Sequence, residues 1–204
     1  NNSIQKSAFG VQAYCVAGPG NGNGLLIDSN IMTDTSANSI GLIGIQIIGV
    51  DGAVVSNNNI GNLITPVSGG VLPGGISIGS QTINSTISNN IIGPINITSA
   101  SSGPVGISIN TGNANSNLII SNNTISGLNI NQAAVLNGIT IGGLTGNVLI
   151  TKNRISDIKN TYVSATSAYG AYAISLGSSL TAANITLANN FIWDVAAYGR
   201  NNLT

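Results

Sequence analysis

The stretch Ile120-Ser121-Asn122-Asn123-Thr124-Ile125 decides the fold, because the chain writes it repeatedly. Its other copies are Ile27-Asp28-Ser29-Asn30-Ile31-Met32, Val55-Ser56-Asn57-Asn58-Asn59-Ile60, Ile87-Ser88-Asn89-Asn90-Ile91-Ile92, Ile150-Thr151-Lys152-Asn153-Arg154-Ile155 and Leu187-Ala188-Asn189-Asn190-Phe191-Ile192, with a truncated Asn1-Asn2-Ser3-Ile4 at the start. The recurring Asn falls at Asn2, Asn30, Asn58, Asn90, Asn123, Asn153 and Asn190, at intervals of 28, 28, 32, 33, 30 and 37 residues. A motif at a nearly fixed period of this length marks a stack of supersecondary units that bury a core only together.

A second motif lies between the copies of the first: Gly10-Val11-Gln12-Ala13, Gly44-Ile45-Gln46-Ile47, Gly75-Ile76-Ser77-Ile78, Gly106-Ile107-Ser108-Ile109, Gly138-Ile139-Thr140-Ile141 and Ala173-Ile174-Ser175-Leu176. Before most ladder positions, apolar residues alternate with period two, as at Leu118 and Ile120 or Val148 and Ile150, which is the pattern of a half-buried strand. After them, apolar residues recur two and usually five positions on, as at Ile155 and Ile158, so a bend is expected at the end of the third strand. The reading is an all-β, right-handed parallel β-helix of about six to seven coils of roughly 30 residues, with three short strands per coil. The Asn at one turn has two physical reasons: it tolerates the left-handed backbone of a tight bend, and stacked amides bond along the rod.

With these residues in view, the chain resembles the pectate-lyase-like superfamily of parallel β-helices, in which an Asn ladder marks the turn between the second and third strands. It is also similar to β-helix regions of large secreted Bacteroidetes proteins, on phrases such as Ile185 to Val195 and Tyr169 to Gly177. The resemblance covers nearly the whole chain. It implies a secreted or cell-surface location and makes the Gly-Ile-x-Ile segment the first strand, whose outer face carries catalytic residues in the enzymes of that superfamily.

Composition narrows the partners. Lys and Arg number five and Asp five, there is no His or Glu, and formal net charge is +0, so nucleic acid and anionic membranes find no footprint. With 42% apolar residues the chain is not of the disordered class. No apolar run reaches the length of a membrane span. Cys15 stands alone, to be read as a small buried residue or a free thiol. The array is read as a single segment, 1–204, whose natural chain is expected to continue with further coils at both ends.

Chemistry has few places to sit. The outward residues of the first strand, Gln12, Gln46, Ser77, Ser108, Thr140 and Ser175, supply none of the carboxylates that glycoside hydrolysis or calcium-dependent elimination requires. No catalytic residue, metal set or cofactor is therefore expected. Asp157 and Asp194 each lie four positions after a ladder Asn in adjacent coils, where they either share a cation or a proton at raised pKa, or serve the turn; Arg154 is the expected ion-pair partner. The scarce aromatics gather late in the chain, at Tyr162, Tyr169 and Tyr172, then Phe191, Trp193 and Tyr198. Phe191 and Trp193 should point outward, to stack on sugar rings or a protein partner unless the preceding loop covers them. Six Asn-x-Ser/Thr sequons, at Asn1, Asn84, Asn96, Asn122, Asn184 and Asn202, are no more than this composition produces by chance. The functional expectation is a non-catalytic extracellular rod for adhesion or for binding a polysaccharide or surface glycan. The alternatives are a fragment of a polysaccharide-active lyase or hydrolase, and a spacer or secretion-substrate segment without a ligand.

Overall fold

The computed structural model describes residues 2–15, 22–65, 73–97, 103–163 and 169–198. The chain winds as a parallel β-solenoid, and its coils stack so that each strand pairs with its counterparts one period earlier and later. The first sheet contains Phe9–Tyr14, Ile43–Ile48, Gly74–Ile78, Val105–Ile109, Leu136–Gly143 and Ala171–Ser178. The second contains Leu26–Asp28, Val54–Ser56, Thr86–Ser88, Leu118–Ser121, Val148–Thr151 and Ile185–Ala188. The third is built of two-residue strands, Ile31–Met32, Asn59–Ile60, Ile91–Ile92, Thr124–Ile125, Arg154–Ile155 and Phe191–Ile192. A fourth holds Leu63–Thr65, Ile95–Ile97, Leu128–Ile130, Ile158–Asn160 and Val195–Ala197.

The first three sheets hold six strands each and the fourth five, which gives about five complete turns from first to last, fewer than the six to seven coils expected. From the second coil on, each coil carries four strands in these sheets rather than three. The bend placed after the third strand in fact divides it: four positions after the ladder Asn, the residues Asn62, Gly127, Asp157 and Asp194 have φ between 52° and 71°. In the coil of Asn90 that place is taken by Pro94, whose ring fixes φ negative, and the preceding Gly93 takes the positive φ of 115° instead.

The interior is a set of columns with one residue per coil. Ile45, Ile76, Ile107 and Ile139 stack in register, as do Val55, Ile87, Ile120 and Ile150, and Ile60, Ile92, Ile125 and Ile155. All twelve are buried. Stiff β-branched side chains suit the pleated surface, and burying each contributes about 1.5–3 kcal/mol before entropy is charged against it. The glycine that opens each Gly-Ile-x-Ile motif makes room for one of these columns. A Cβ on Gly106 would lie 2.6 Å from Ile125 Cγ2 and 2.5 Å from the Gly138 carbonyl, and Gly138 stands equally close to Ile155.

The Asn ladder forms as expected. Each amide donates Nδ2 to the Oδ1 of the next, from Asn2 through Asn30, Asn58, Asn90, Asn123 and Asn153 to Asn190, at 2.9–3.0 Å. From Asn58 to Asn190 the second Nδ2 hydrogen reaches a strand carbonyl of the preceding coil, as from Asn123 to Ile87, and each Oδ1 also accepts a backbone N–H, as Asn123 does from Asn90. Asn58, Asn90, Asn123 and Asn153 are buried with every donor and acceptor used. The left-handed residue of this bend, however, is not the ladder Asn. It is the residue before it, Ser29, Asn57, Asn89, Asn122, Lys152 and Asn189, with φ of 56–57°. The left-handed step turns the chain, and the next residue can then aim its amide inward along the rod.

Candidate functional site

The first sheet shows what its outer face offers. Gln12, Gln46, Ser77, Ser108, Thr140 and Ser175 stand in one register-matched row, with Gln12 Nε2 bonded to Gln46 Oε1 at 2.6 Å. The row is amides and hydroxyls only. Among the described residues no three His, Cys, Asp or Glu side chains gather, and no helix is long and apolar enough to cross a membrane. Cys15 is a free, half-buried thiol.

Asp157 and Asp194 do meet across adjacent coils, but the expected partner is corrected. The cation between them is the Lys159 ammonium, 2.6 Å from Asp194 and 2.9 Å from Asp157. Arg154 belongs to the third sheet, on the near side of the Asp157 bend, and forms no ion pair among the described residues, whereas Lys159 lies in the fourth. The raised carboxyl pKa is corrected as well. The Lys159 hydrogen bond, with that of Asn129, holds the Asp157 carboxyl below its usual 3.8, and the two carboxylates, Asp194 first, push the Lys159 ammonium up. Both Asp residues carry the left-handed bend, so their role is in the turn and in a surface ion pair of small energetic weight.

The aromatic residues form two separate features. Tyr162 and Tyr169 meet edge to face, ring centroids 5.5 Å apart, at the base of a loop whose residues 164–168 lie outside the described residues. Phe191 and Trp193 form a tilted pair 4.7 Å between centroids, with 63% and 43% of their surfaces exposed. The expectation that the long loop covers them falls on residues 164–168, outside the described residues. Phe191 leaves the third sheet outward in register with Arg154, and Trp193 follows where the chain approaches the Asp194 bend. Tyr198 is 65% exposed one strand later. The result is an aromatic ledge with polar side chains beside it.

One feature of the surface escaped the sequence reading. Six residues before each ladder Asn the backbone is again left-handed, at Gly24, Gly52, Asn84, Asn117, Asn147 and Asn184. In the last four coils these residues build a second, outer ladder. Asn84 Nδ2 donates to Asp51 Oδ1 and Asn117 Nδ2 to Asn84 Oδ1, each at 2.8 Å; Asn147 donates to Asn117, and Asn184 to Asn147 at 2.8 Å. The signal was present as a Gly-or-Asn column at constant offset from the anchor. Variable neighbours and the high overall Asn content hid it. Beside this ladder, on the outer face of the second sheet, runs a groove of about 240 Å³ lined by Asn117, Ile119, Asn147, Leu149, Asn184 and Thr186.

In comparisons with known proteins, no family model, no curated protein and no solved structure matches the chain, so its register, ladders and exposed side chains carry the functional argument.

Proposed function

We propose that the protein is a non-catalytic extracellular rod that binds glycan through side chains on its outer surface. The observation that carries this reading is the exposed Phe191–Trp193 pair. Two adjacent aromatic rings held on a rigid solenoid present a ready-made apolar platform at low conformational cost, and a pyranose ring offers a matching face of C–H groups. The neighbouring polar groups, Arg154 in register with Phe191 and the Asp157–Lys159–Asp194 cluster beyond the bend, supply hydrogen bonds at the edge of such a ring. The amide and hydroxyl row of the first sheet supports binding over bond cleavage, because those groups lack the ionisable pair that glycoside chemistry uses. The likeness to pectate-lyase-like solenoids and to secreted Bacteroidetes β-helices supports the extracellular setting.

Trp193 is the only Trp in the chain, so its fluorescence reports the ledge directly. Titration with soluble oligosaccharides should shift or quench that emission saturably, and Phe191→Ala should abolish the saturable change while leaving the fold intact by circular dichroism. A panel of neutral and charged oligosaccharides that leaves the emission untouched would remove the ledge as a glycan site.

A further inference from the structure

The groove beside the outer ladder lies on the second sheet, across the inner-ladder corner from the aromatic ledge on the third. Three of its residues, Asn117, Asn147 and Asn184, point their amides the same way along the rod because each is locked to its neighbour. Within the described hydrogen bonds, Asn117 and Asn147 each use one of two Nδ2 hydrogens and one of two Oδ1 lone pairs. Each of these rungs therefore offers one donor and one acceptor, and the offer repeats at the coil spacing of about 4.8 Å. Beside the amides, Ile119, Leu149 and Thr186 stand in register on the same outer face, and Ile119 is 42% exposed.

We infer that this groove is a second ligand site, which takes one uncharged, hydroxyl-rich glycan chain laid parallel to the rod axis. A sugar hydroxyl both donates and accepts, as each rung does, and a pyranose ring is about as long as one coil spacing. The aliphatic floor meets the C–H face of the ring. Charge decides against acidic chains: the groove lining holds no charged side chain, and the ladder ends on the Asp51 carboxylate. Spacing decides against an extended peptide, whose rise of about 3.3 Å per residue falls out of step with the rungs. The inference shares its ligand class with the proposed function but rests on different residues, so each can fail alone.

The test uses the whole chain and linear neutral oligosaccharides of increasing length, with a polyuronate as the charged comparison. Binding is read by calorimetry and by the side-chain amide resonances of Asn117, Asn147 and Asn184. The decisive variant is Asn147→Gly, because Gly24 and Gly52 already occupy the same left-handed column and the backbone tolerates it. The expected result is length-dependent binding of a neutral chain that shifts those resonances, weakens about tenfold in Asn147→Gly and persists in Trp193→Ala. Binding unchanged in Asn147→Gly but lost in Trp193→Ala overturns the groove and leaves the ledge standing. Unshifted amide resonances with every neutral chain, or equal affinity for the polyuronate, also overturn it.

Discussion

Replacing Asn123 by Ala tests whether the inner ladder holds the coils together. The Asn123 side chain makes four hydrogen bonds: it donates to Ile87 O at 2.9 Å and to Asn153 Oδ1 at 3.0 Å, and it accepts from the Asn90 backbone at 3.0 Å and from Asn90 Nδ2 at 2.9 Å. Without it the Asn90 backbone N–H is stranded in a site that water does not reach, at a cost of about 1–3 kcal/mol. The Ile87 carbonyl and Asn153 Oδ1 each lose one donor, adding about 0.5–1.5 kcal/mol apiece. The expected loss is thus about 2–6 kcal/mol. Asn190→Ala provides the comparison, because its site is half-exposed and water can replace the lost partner, so its cost should stay near about 1 kcal/mol. Urea unfolding followed by far-ultraviolet circular dichroism measures both. Equal, small losses at the two positions would refute the claim that ladder satisfaction, rather than apolar stacking alone, fixes the coils.

Three further outcomes are expected. Gly106→Ala should destabilise by about 1–3 kcal/mol or more in the same urea assay, since its Cβ meets a backbone carbonyl and Ile125 at once, whereas Asn122→Gly, at a left-handed position, should be close to neutral. The stabilisation from Lys159, read as the melting difference from Lys159→Met, should depend on pH on both sides. The lowered Asp157 pKa gives a contribution present above 3.8 and lost as pH falls through the folded value, and the raised Lys159 pKa gives one present below 10.5 and lost as pH rises through its folded value. A flat difference across that range would contradict the bridging geometry. In the acid limb Asp28 should add to the loss, because hydrogen bonds from Ser56, then Ser29 and Asn57, hold its carboxyl below 3.8; Ser56→Ala should move the acid unfolding midpoint upward, and an unmoved midpoint would discount that contact.

Much of the architecture was legible because a solenoid repeats each physical decision once per coil. The Asn column appeared seven times, the Gly-Ile-x-Ile strand six times in exact or near form and the period-two apolar pair in most coils, so accidents at one coil were outvoted by the rest. The fourth strand was not legible, since the left-handed residue at its bend varies among Asn62, Gly93, Gly127, Asp157 and Asp194, which share a backbone task and little chemistry. The left-handed step was assigned one residue late for the opposite reason. Asn is common at both positions, and only the backbone separates the residue that turns from the residue that bonds. The Asp157–Asp194 proximity followed from spacing, but the partner did not. Choosing Lys159 over Arg154 requires knowing that the bend puts them in different sheets. The outward direction of Phe191 and Trp193 followed from strand parity, and the outer ladder was missed because its column changes from Gly in the early coils to Asn in the later ones.

The most direct test of the central claim is a retention assay on immobilised and insoluble polysaccharides in which the same supernatants are assayed for newly released sugar ends. The account predicts retention of the intact chain with no release over time, and loss of ledge-dependent retention in Trp193→Ala. Release of sugar ends that disappears with a point substitution in this chain would contradict it.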